Sequence, residues 1–305
     1  MNGNVQRRSY AVIEAPSILG LKPTGVDGLP RTLLEHRLAQ RVNARYAGRI
    51  EPPPYSPDRD PETGTLNARA IVQWSPQLAD AIGQVLGGGE FPLILGGDCS
   101  ILLGATLALK RRGRFGLLFL DGHADFYQPE ANPNGEAASM ELAFATGHGP
   151  AVFANLEGRR PLVRAEDTVA FGFRDADEQR RYGSQPLADA ILALDLNTVR
   201  SMGVAKAMAA ALERLSRSTV QGFFIHFDAD ILNDDIMPAV DYRLPDGFSW
   251  DEMTSILTLA MANEGAVGLE VTIYNPALDA DGAAGRELTN TLVATLAPGQ
   301  ESTMP

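Results

Sequence analysis

The chain has 305 residues, 45% apolar and 21% charged, which is enough material for the sizeable core of one large α/β domain. A net charge of −12 repels phosphate backbones, and no apolar run approaches the ~18 residues of a membrane span, so neither nucleic acid nor a bilayer is an expected partner. The single cysteine, Cys99, excludes an internal disulfide framework and a cysteine-rich zinc module, and fits a reducing cytoplasm.

In chain order, the start MNGNVQRRSY has no apolar stretch behind its charges and is not expected to be a secretory signal. Residues 10–13 read as a buried strand and 29–43 as a helix. Residues 49–68, with Pro52, Pro53 and Pro54, read as a loop. A helix over 70–86, a strand over 91–95, a helix over 100–111 and a strand over 116–120 follow. Further strands are expected at 168–171, 222–225 and 266–269, with helices at 187–194, 202–216, 249–263 and 285–294. The strand candidates hardly alternate, as strands covered on both faces do not. Ser249 reads as an N-cap, with Glu252 closing a capping box. The order implies a parallel sheet with helices on both faces. Nothing marks a boundary, so 1–305 is expected to form one domain, with 298–305 a frayed tail.

Three acidic clusters each follow a strand directly: Gly96-Gly97-Asp98-Cys99-Ser100, Asp121-Gly122-His123-Ala124-Asp125 and Asp228-Ala229-Asp230. Ligands of open parallel sheets bind outside the carboxyl ends of the strands, so the three clusters are expected to meet at one edge. Asp121, His123 and Asp125 are spaced i, i+2, i+4, and an extended segment would point all three the same way. Asp228 and Asp230 repeat the spacing. Four carboxylates gathered there cannot all stay ionised without cations. Two divalent metals ~3.5–4 Å apart, as in hydrolytic sites, resolve the conflict. The bland alternative is a set of separate helix caps and turn aspartates. A nucleotide-binding reading is weak, because Gly96-Gly97-Asp98 lacks a GxGxxG turn.

With these motifs in this order, the chain resembles the ureohydrolase (arginase/agmatinase) superfamily. Gly96-Gly97-Asp98-Cys99-Ser100 is similar to its GGDHS motif, Asp121 to Asp125 to its DAHxD motif, and Asp228-Ala229-Asp230 to its DxD motif. Gly25 to Pro30 looks like its glycine-rich segment after the first strand, and Asn275-Pro276 like its late NP pair. The resemblance implies a three-layer α/β sandwich around a parallel eight-stranded sheet, and a binuclear centre that usually holds manganese. It implies that Asp121 and Asp228 bridge both metals, that Cys99 and Asp125 complete the ligand set of the first metal, and that His123 and Asp230 complete that of the second metal. It further implies a metal-bridging hydroxide, oriented by Asp125, that attacks a guanidine carbon. Asn132 and Asn134 fall where the family contacts the amino-acid end of its substrate, and Asp175 and Asp177 where it binds the α-amino group. Trimers and hexamers are common in the family, which leaves self-association open.

The chain departs from that pattern at three positions. Cys99 stands where the family has histidine, and a softer thiolate tilts the site from manganese toward zinc, cobalt or iron. The family's proton-shuttling histidine registers on Ala138, with His148 and His226 read as structural rather than as replacements. Its guanidinium-pairing glutamate registers on Ile273, and Glu270, placed inside a strand, is no substitute. A guanidinium as basic as arginine's gains from both missing groups, and a less basic guanidine needs them less. The cysteine and the missing histidine look like the branch that hydrolyses Nω-hydroxy-L-arginine to hydroxyurea and ornithine. Arginine, agmatine or another guanidino compound is the alternative substrate. A non-catalytic binding or regulatory subunit is the alternative of another class.

Overall fold

Six of the buried apolar runs lie side by side at the centre of one sheet. The computed structural model describes residues 8–298, so all of the expected tail except Pro298 lies outside the described residues. The strands are β1 (Tyr10–Ala15), β2 (Arg45–Arg49), β3 (Phe91–Gly96), β4 (Gly116–Leu120), β5 (Thr168–Phe171), β6 (Leu192–Leu194), β7 (Phe223–Asp228) and β8 (Ala266–Thr272). Their order is β2-β1-β3-β8-β7-β4-β5-β6, and every pairing is parallel. The chain leaves a gap between β3 and β4 that β7 and β8 later fill. The strands that end in acidic clusters therefore lie within four adjacent places.

Helices cover both faces. They are α1 (Leu29–Glu35), α2 (Leu38–Arg41), α3 (Ala68–Gly87), α4 (Leu102–Arg112), α5 (Glu141–Ala145), α6 (Ala151–Ala154), α7 (Ala176–Tyr182), α8 (Leu196–Met202), α9 (Val204–Leu215), α10 (Trp250–Ala262) and α11 (Ala283–Leu296). On one face Leu93, Leu95, Leu118 and Ile225 pack with residues of α1, α9, α10 and α11. On the other, Ile94, Phe119 and Phe224 pack with α3, α4, α5 and α6. Alternate strand residues thus feed two cores, which gives the expected three layers. The capping box forms: Ser249 Oγ accepts from Glu252 N at 3.2 Å, and Glu252 Oε2 accepts from Ser249 N at 2.9 Å. No helix among the described residues is long and apolar enough to cross a membrane.

Two helix expectations need correction. Residues 187–194 do not form a helix. They end in β6, whose Leu192 and Leu194 pair with Val169 and Phe171 of β5. Pairing at the open sheet edge overrides a local helical pattern this short. The expected helix over 29–43 divides into α1 and α2, because Arg37 takes a left-handed conformation (φ 63°). β2 was not legible either: Arg45-Tyr46-Ala47-Gly48-Arg49 is a largely exposed edge strand with charged ends.

Candidate metal centre

Each acidic cluster is a turn that splits the duties of one carboxylate. Asp121 Oδ1 accepts from His123 N at 2.7 Å, Asp228 Oδ1 from Asp230 N at 2.7 Å, and Asp98 Oδ1 from Ser100 N at 2.9 Å. These are the side-chain-to-backbone turns aspartate favours, so the bland reading holds for one oxygen of each. The second oxygen of Asp121 has no partner, that of Asp228 accepts from the Cys99 thiol at 2.8 Å, and that of Asp98 accepts from Ser17 Oγ at 2.7 Å. The side chains converge through these turns and not through extended alternation. Residues 121–125 are bent, and Asp125 is left-handed (φ 42°).

All six expected ligands fall in one contiguous group. Cys99 meets Asp228, whose turn carries Asp230, and Asp230 Oδ2 lies 2.9 Å from His123 Nδ1. His123 Nδ1 is 3.8 Å from Asp121 Oδ1. Asp125 is buried beside them, close enough for the charges of Glu141 and Asp121 to act on it. Gly122 N donates to Asp230 Oδ1 at 3.1 Å, which ties the β4 loop to the β7 loop. Arg174 pins the second of these: its guanidinium donates to the carbonyls of Asp230 (2.9 Å), Leu232 (3.0 Å) and Leu244 (2.8 Å).

The electrostatics are those of a cation site. Burial, and then the neighbouring charge of Asp230, push Asp121 and Asp228 above the usual carboxylate range. Burial and the charges of Glu141 and Asp121 do the same to Asp125. Burial also raises Asp230, but His123 outweighs it and holds Asp230 below its ordinary value. Burial and the surrounding carboxylates push the Cys99 thiol up.

Sequence reasoning missed several residues here. Glu141, the first residue of α5, is fully buried beside Asp125, and neither of its oxygens is within hydrogen-bond distance of a donor among the described residues. The only available signal was an acid inside the apolar run Met140-Glu141-Leu142-Ala143-Phe144-Ala145. His226 is fully buried in β7, with Nδ1 2.7 Å from Glu270 Oε1 and Nε2 3.6 Å from Asp121 Oδ2. Glu270 is turned into this pair and does not line the pocket. His148 lies elsewhere, against Thr146 and the Phe126 ring.

Two sets of donors have their ligand atoms within 4.8 Å of one another: Cys99, Asp121, Glu141 and His226 form one, and Asp121, His123 and Asp230 the other. Asp121 Oδ2 and His226 Nε2 face each other at 3.6 Å without a hydrogen bond, and with the two Glu141 oxygens, which also make none, they fit a bound cation, since buried polar atoms otherwise require partners. Stripped of metal, the chain should lose stability as pH rises above the ordinary carboxylate range, because Asp121, Asp125 and Asp228 hold protons more tightly folded than unfolded. Groups whose folded pKa is raised contribute stability below their unfolded value and lose it on the way up. Added Mn(II) should raise Tm by more at pH 8 than at pH 6, because deprotonated donors bind it. Thermal melts with chelator and with Mn(II) at several pH values test this, and a metal effect that shrinks with pH contradicts it.

Above the cluster opens a pocket of about 240 Å³ whose floor is His123, Asp125, Asp228 and Asp230. Its walls include Leu21, Tyr127, Tyr182, Tyr242, Ala138 and Ile273. Asn132 and Asn134 line it. Asn132 Nδ2 donates to Glu136 O at 2.7 Å and Asn134 Nδ2 to Tyr242 Oη at 3.1 Å. Asp175 and Asp177 do not reach the wall. Asp175 is buried beneath the β4 loop, where Oδ1 accepts from Ala124 N at 3.2 Å, and Asp177 is a solvent-facing α7 side chain paired with Arg180. From the same helix it is Glu178 that lines the pocket, because one step along a helix turns the side chain to another face.

A family model, "Arginase family", matches residues 28–298. The chain is 28% identical to the arginase of Bacillus subtilis strain 168 over 289 residues, 92% of this chain and 94% of that one. It is 25% identical to the arginase of Staphylococcus aureus strain MRSA252 over 283 residues, 90% and 92% of the two chains. Among solved structures, the arginase of Bacillus caldovelox superposes with a TM-score of 0.85 at 23% identity, over 97% of this chain and 100% of that one. The proclavaminate amidino hydrolase of Streptomyces clavuligerus gives a TM-score of 0.67 at 17% identity, over 95% and 92%.

Proposed function

Because the chain belongs to the arginase family of metal-dependent C–N hydrolases, we propose that it is a binuclear-metal amidinohydrolase for a small guanidino compound of low basicity, Nω-hydroxy-L-arginine foremost. One observation carries this reading. Six donors converge, and four of them, His123, Asp125, Asp228 and Asp230, floor a pocket whose wall has Ala138 and Ile273, without the imidazole and carboxylate that the family pattern places there. Cys99, Asp121, His123, Asp125, Asp228 and Asp230 are the residues to hold two divalent cations, manganese by family habit, with zinc, cobalt or iron favoured by the thiol. Bound there, such a pair supplies a water acidic enough to ionise near neutral pH.

The chain's own groups do the rest. Asp125, at the pocket floor with a raised pKa, is suited to take a proton and return it to a departing amine. Tyr127, Tyr182 and Tyr242 give the substrate an amphipathic wall, and Asn132 and Asn134 offer amide groups to its distal end. Glu178 faces the same space and suits a distal ammonium. Arg174 keeps the Asp230 turn in place through three carbonyl bonds.

The test is a panel of hydroxyarginine, arginine and agmatine with added Mn(II), Zn(II) or Co(II), scored separately for hydroxyurea and urea. The expected result is faster turnover of hydroxyarginine, and faster turnover of arginine or agmatine overturns the preference. A chain that binds no metal and turns over nothing is a non-catalytic relative. Ile273→Glu gives an independent check. Ile273 sits at φ 70°, a strained place for a β-branched residue, with its N–H donating to Gly97 O at 2.8 Å. Glutamate fits that backbone with less strain and adds a carboxylate at the pocket. The variant is expected to move the arginine-to-hydroxyarginine kcat/KM ratio toward arginine at least ~10-fold, about 1.4 kcal/mol. An unchanged ratio contradicts the role given to this position.

A further inference from the structure

Behind the pocket wall, away from the metal cluster, sits a carboxylate with no role in the steps so far. Glu136 is completely buried. Its Oε2 accepts from the Tyr242 hydroxyl at 2.6 Å, and Tyr242 lines the pocket. Its Oε1 makes no hydrogen bond and lies 3.9 Å from Nζ of Lys22, a side chain more than half exposed. We propose that Lys22, Glu136 and Tyr242 form a relay that carries one proton per turnover from solvent to the departing amine. This rests on the reading of the chain as a hydrolase of weakly basic guanidines.

The proton balance calls for such a route. In a neutral N-hydroxyguanidine a carbon–oxygen bond forms to water and the bond from the central carbon to the alkyl nitrogen breaks. The water oxygen becomes the carbonyl of hydroxyurea. One water proton ends on the hydroxylated nitrogen and the other, through Asp125, on the departing amine. A primary alkylamine has a pKa of about 10, so it leaves as ammonium. That takes one further proton, which arginine brings with its own charge and a neutral guanidine does not. The geometry supplies the path. Asn134 Nδ2 donates to Tyr242 Oη at 3.1 Å, which leaves the hydroxyl proton for Glu136. Asn132 Nδ2 holds the Glu136 carbonyl at 2.7 Å and fixes the residue opposite Tyr242. A protonated Glu136 reverses the bond: it donates to Tyr242 Oη, and Tyr242 turns its own proton into the pocket. A shift of about 1 Å brings the exposed Lys22 ammonium within hydrogen-bond reach of Oε1 to reload it. Burial raises the Glu136 carboxyl above its ordinary range, against the Tyr242 bond and the Lys22 charge, so it holds a proton readily. Asp241 and Tyr55 are the other titratable groups near enough to interact with it. Burial, and then Glu136, raise the Tyr242 phenol, which stays protonated between transfers. Glu136 precedes the turn Ala137–Ser139, so the relay reaches the same stretch of wall where Ala138 leaves the imidazole missing.

The competing account is a tie, in which the three groups only hold two loops together beside the pocket. Steady-state kinetics of the metal-loaded full chain on hydroxyarginine and arginine, with and without added imidazole, separate the two. Tyr242→Phe keeps the ring, and Glu136→Gln keeps an acceptor for the Tyr242 hydroxyl. Each is expected to lower kcat on hydroxyarginine at least ~10-fold, with KM changed less than about twofold. The loss on arginine should be smaller. Imidazole should restore most of the lost rate, relative to the wild type at the same concentration, by delivering the proton itself. Lys22→Met, outside the pocket lining, should slow hydroxyarginine and respond to imidazole in the same way. A loss that imidazole does not repair, or one that falls equally on both substrates, overturns the relay. A Lys22→Met chain with the wild-type rate overturns Lys22 as its entrance. If the wild type is active and Tyr242→Phe and Glu136→Gln match it, the proposed hydrolase stands and the relay alone falls. If the wild-type chain hydrolyses no guanidino compound, both fall.

Discussion

Asp228→Asn is expected to lower kcat/KM at least about a thousandfold, some 4 kcal/mol in transition-state terms, and to leave the purified chain with less than its full complement of cations. Asp228 is the last residue of β7 and stands between the two halves of the site. Oδ2 takes the Cys99 thiol at 2.8 Å, and Oδ1 accepts from Asp230 N at 2.7 Å. An asparagine can keep the backbone bond with its carbonyl oxygen, so the turn survives. What is lost is the negative charge that a cation needs at the centre of the cluster. The check is metal analysis and steady-state kinetics on the same preparation. A chain that keeps both its metal and its rate removes Asp228 from the site.

Gly97→Ala acts through the backbone. A Cβ at residue 97 would lie 1.8 Å from Ser17 O and 2.8 Å from Ser17 C. Ser17 cannot step back. Its carbonyl accepts from Asp98 N at 2.9 Å, its hydroxyl donates to Asp98 Oδ2 at 2.7 Å, and Ala15 two residues earlier pairs with Gly96 across β1 and β3. The strands would have to part just where the chain turns toward Cys99. The expected cost is about 3–5 kcal/mol, at the severe end of single substitutions, with a matching fall in Tm and loss of metal. A melting temperature close to that of the wild type would show that the β1–β3 contact is softer than its geometry implies.

The site was more legible than the edges of the fold. β3, β4 and β7 announce themselves as apolar runs ending in acids, and the parallel sheet brings those ends together, so residues over a hundred positions apart meet as expected. β2 and β6 were invisible because an edge strand is short and needs little apolar surface. Glu141 carries no spacing signal, and a lone acid in the apolar run after Ala138 does not show from sequence that it is buried. His226 read as structural because one histidine inside an apolar strand carries no spacing signal. Only the register that sets it opposite Glu270 and beside Phe119 shows its ring fixed and aimed. Asp175 and Asp177 were assigned by position in a loop, and the short α7 that follows turns Asp177 to solvent and brings Glu178 to the pocket.

The central claim is that this cluster exists to hold two cations under a guanidine-sized pocket. A crystal of the chain grown with Mn(II) and measured at the manganese absorption edge tests it most directly. The account predicts two anomalous peaks roughly 3.5–4 Å apart, with Asp121 between them and one of them at the pocket floor beside His123 and Asp230. A map with no peak at these residues, from a chain whose melting temperature ignores both chelator and metal, would contradict it.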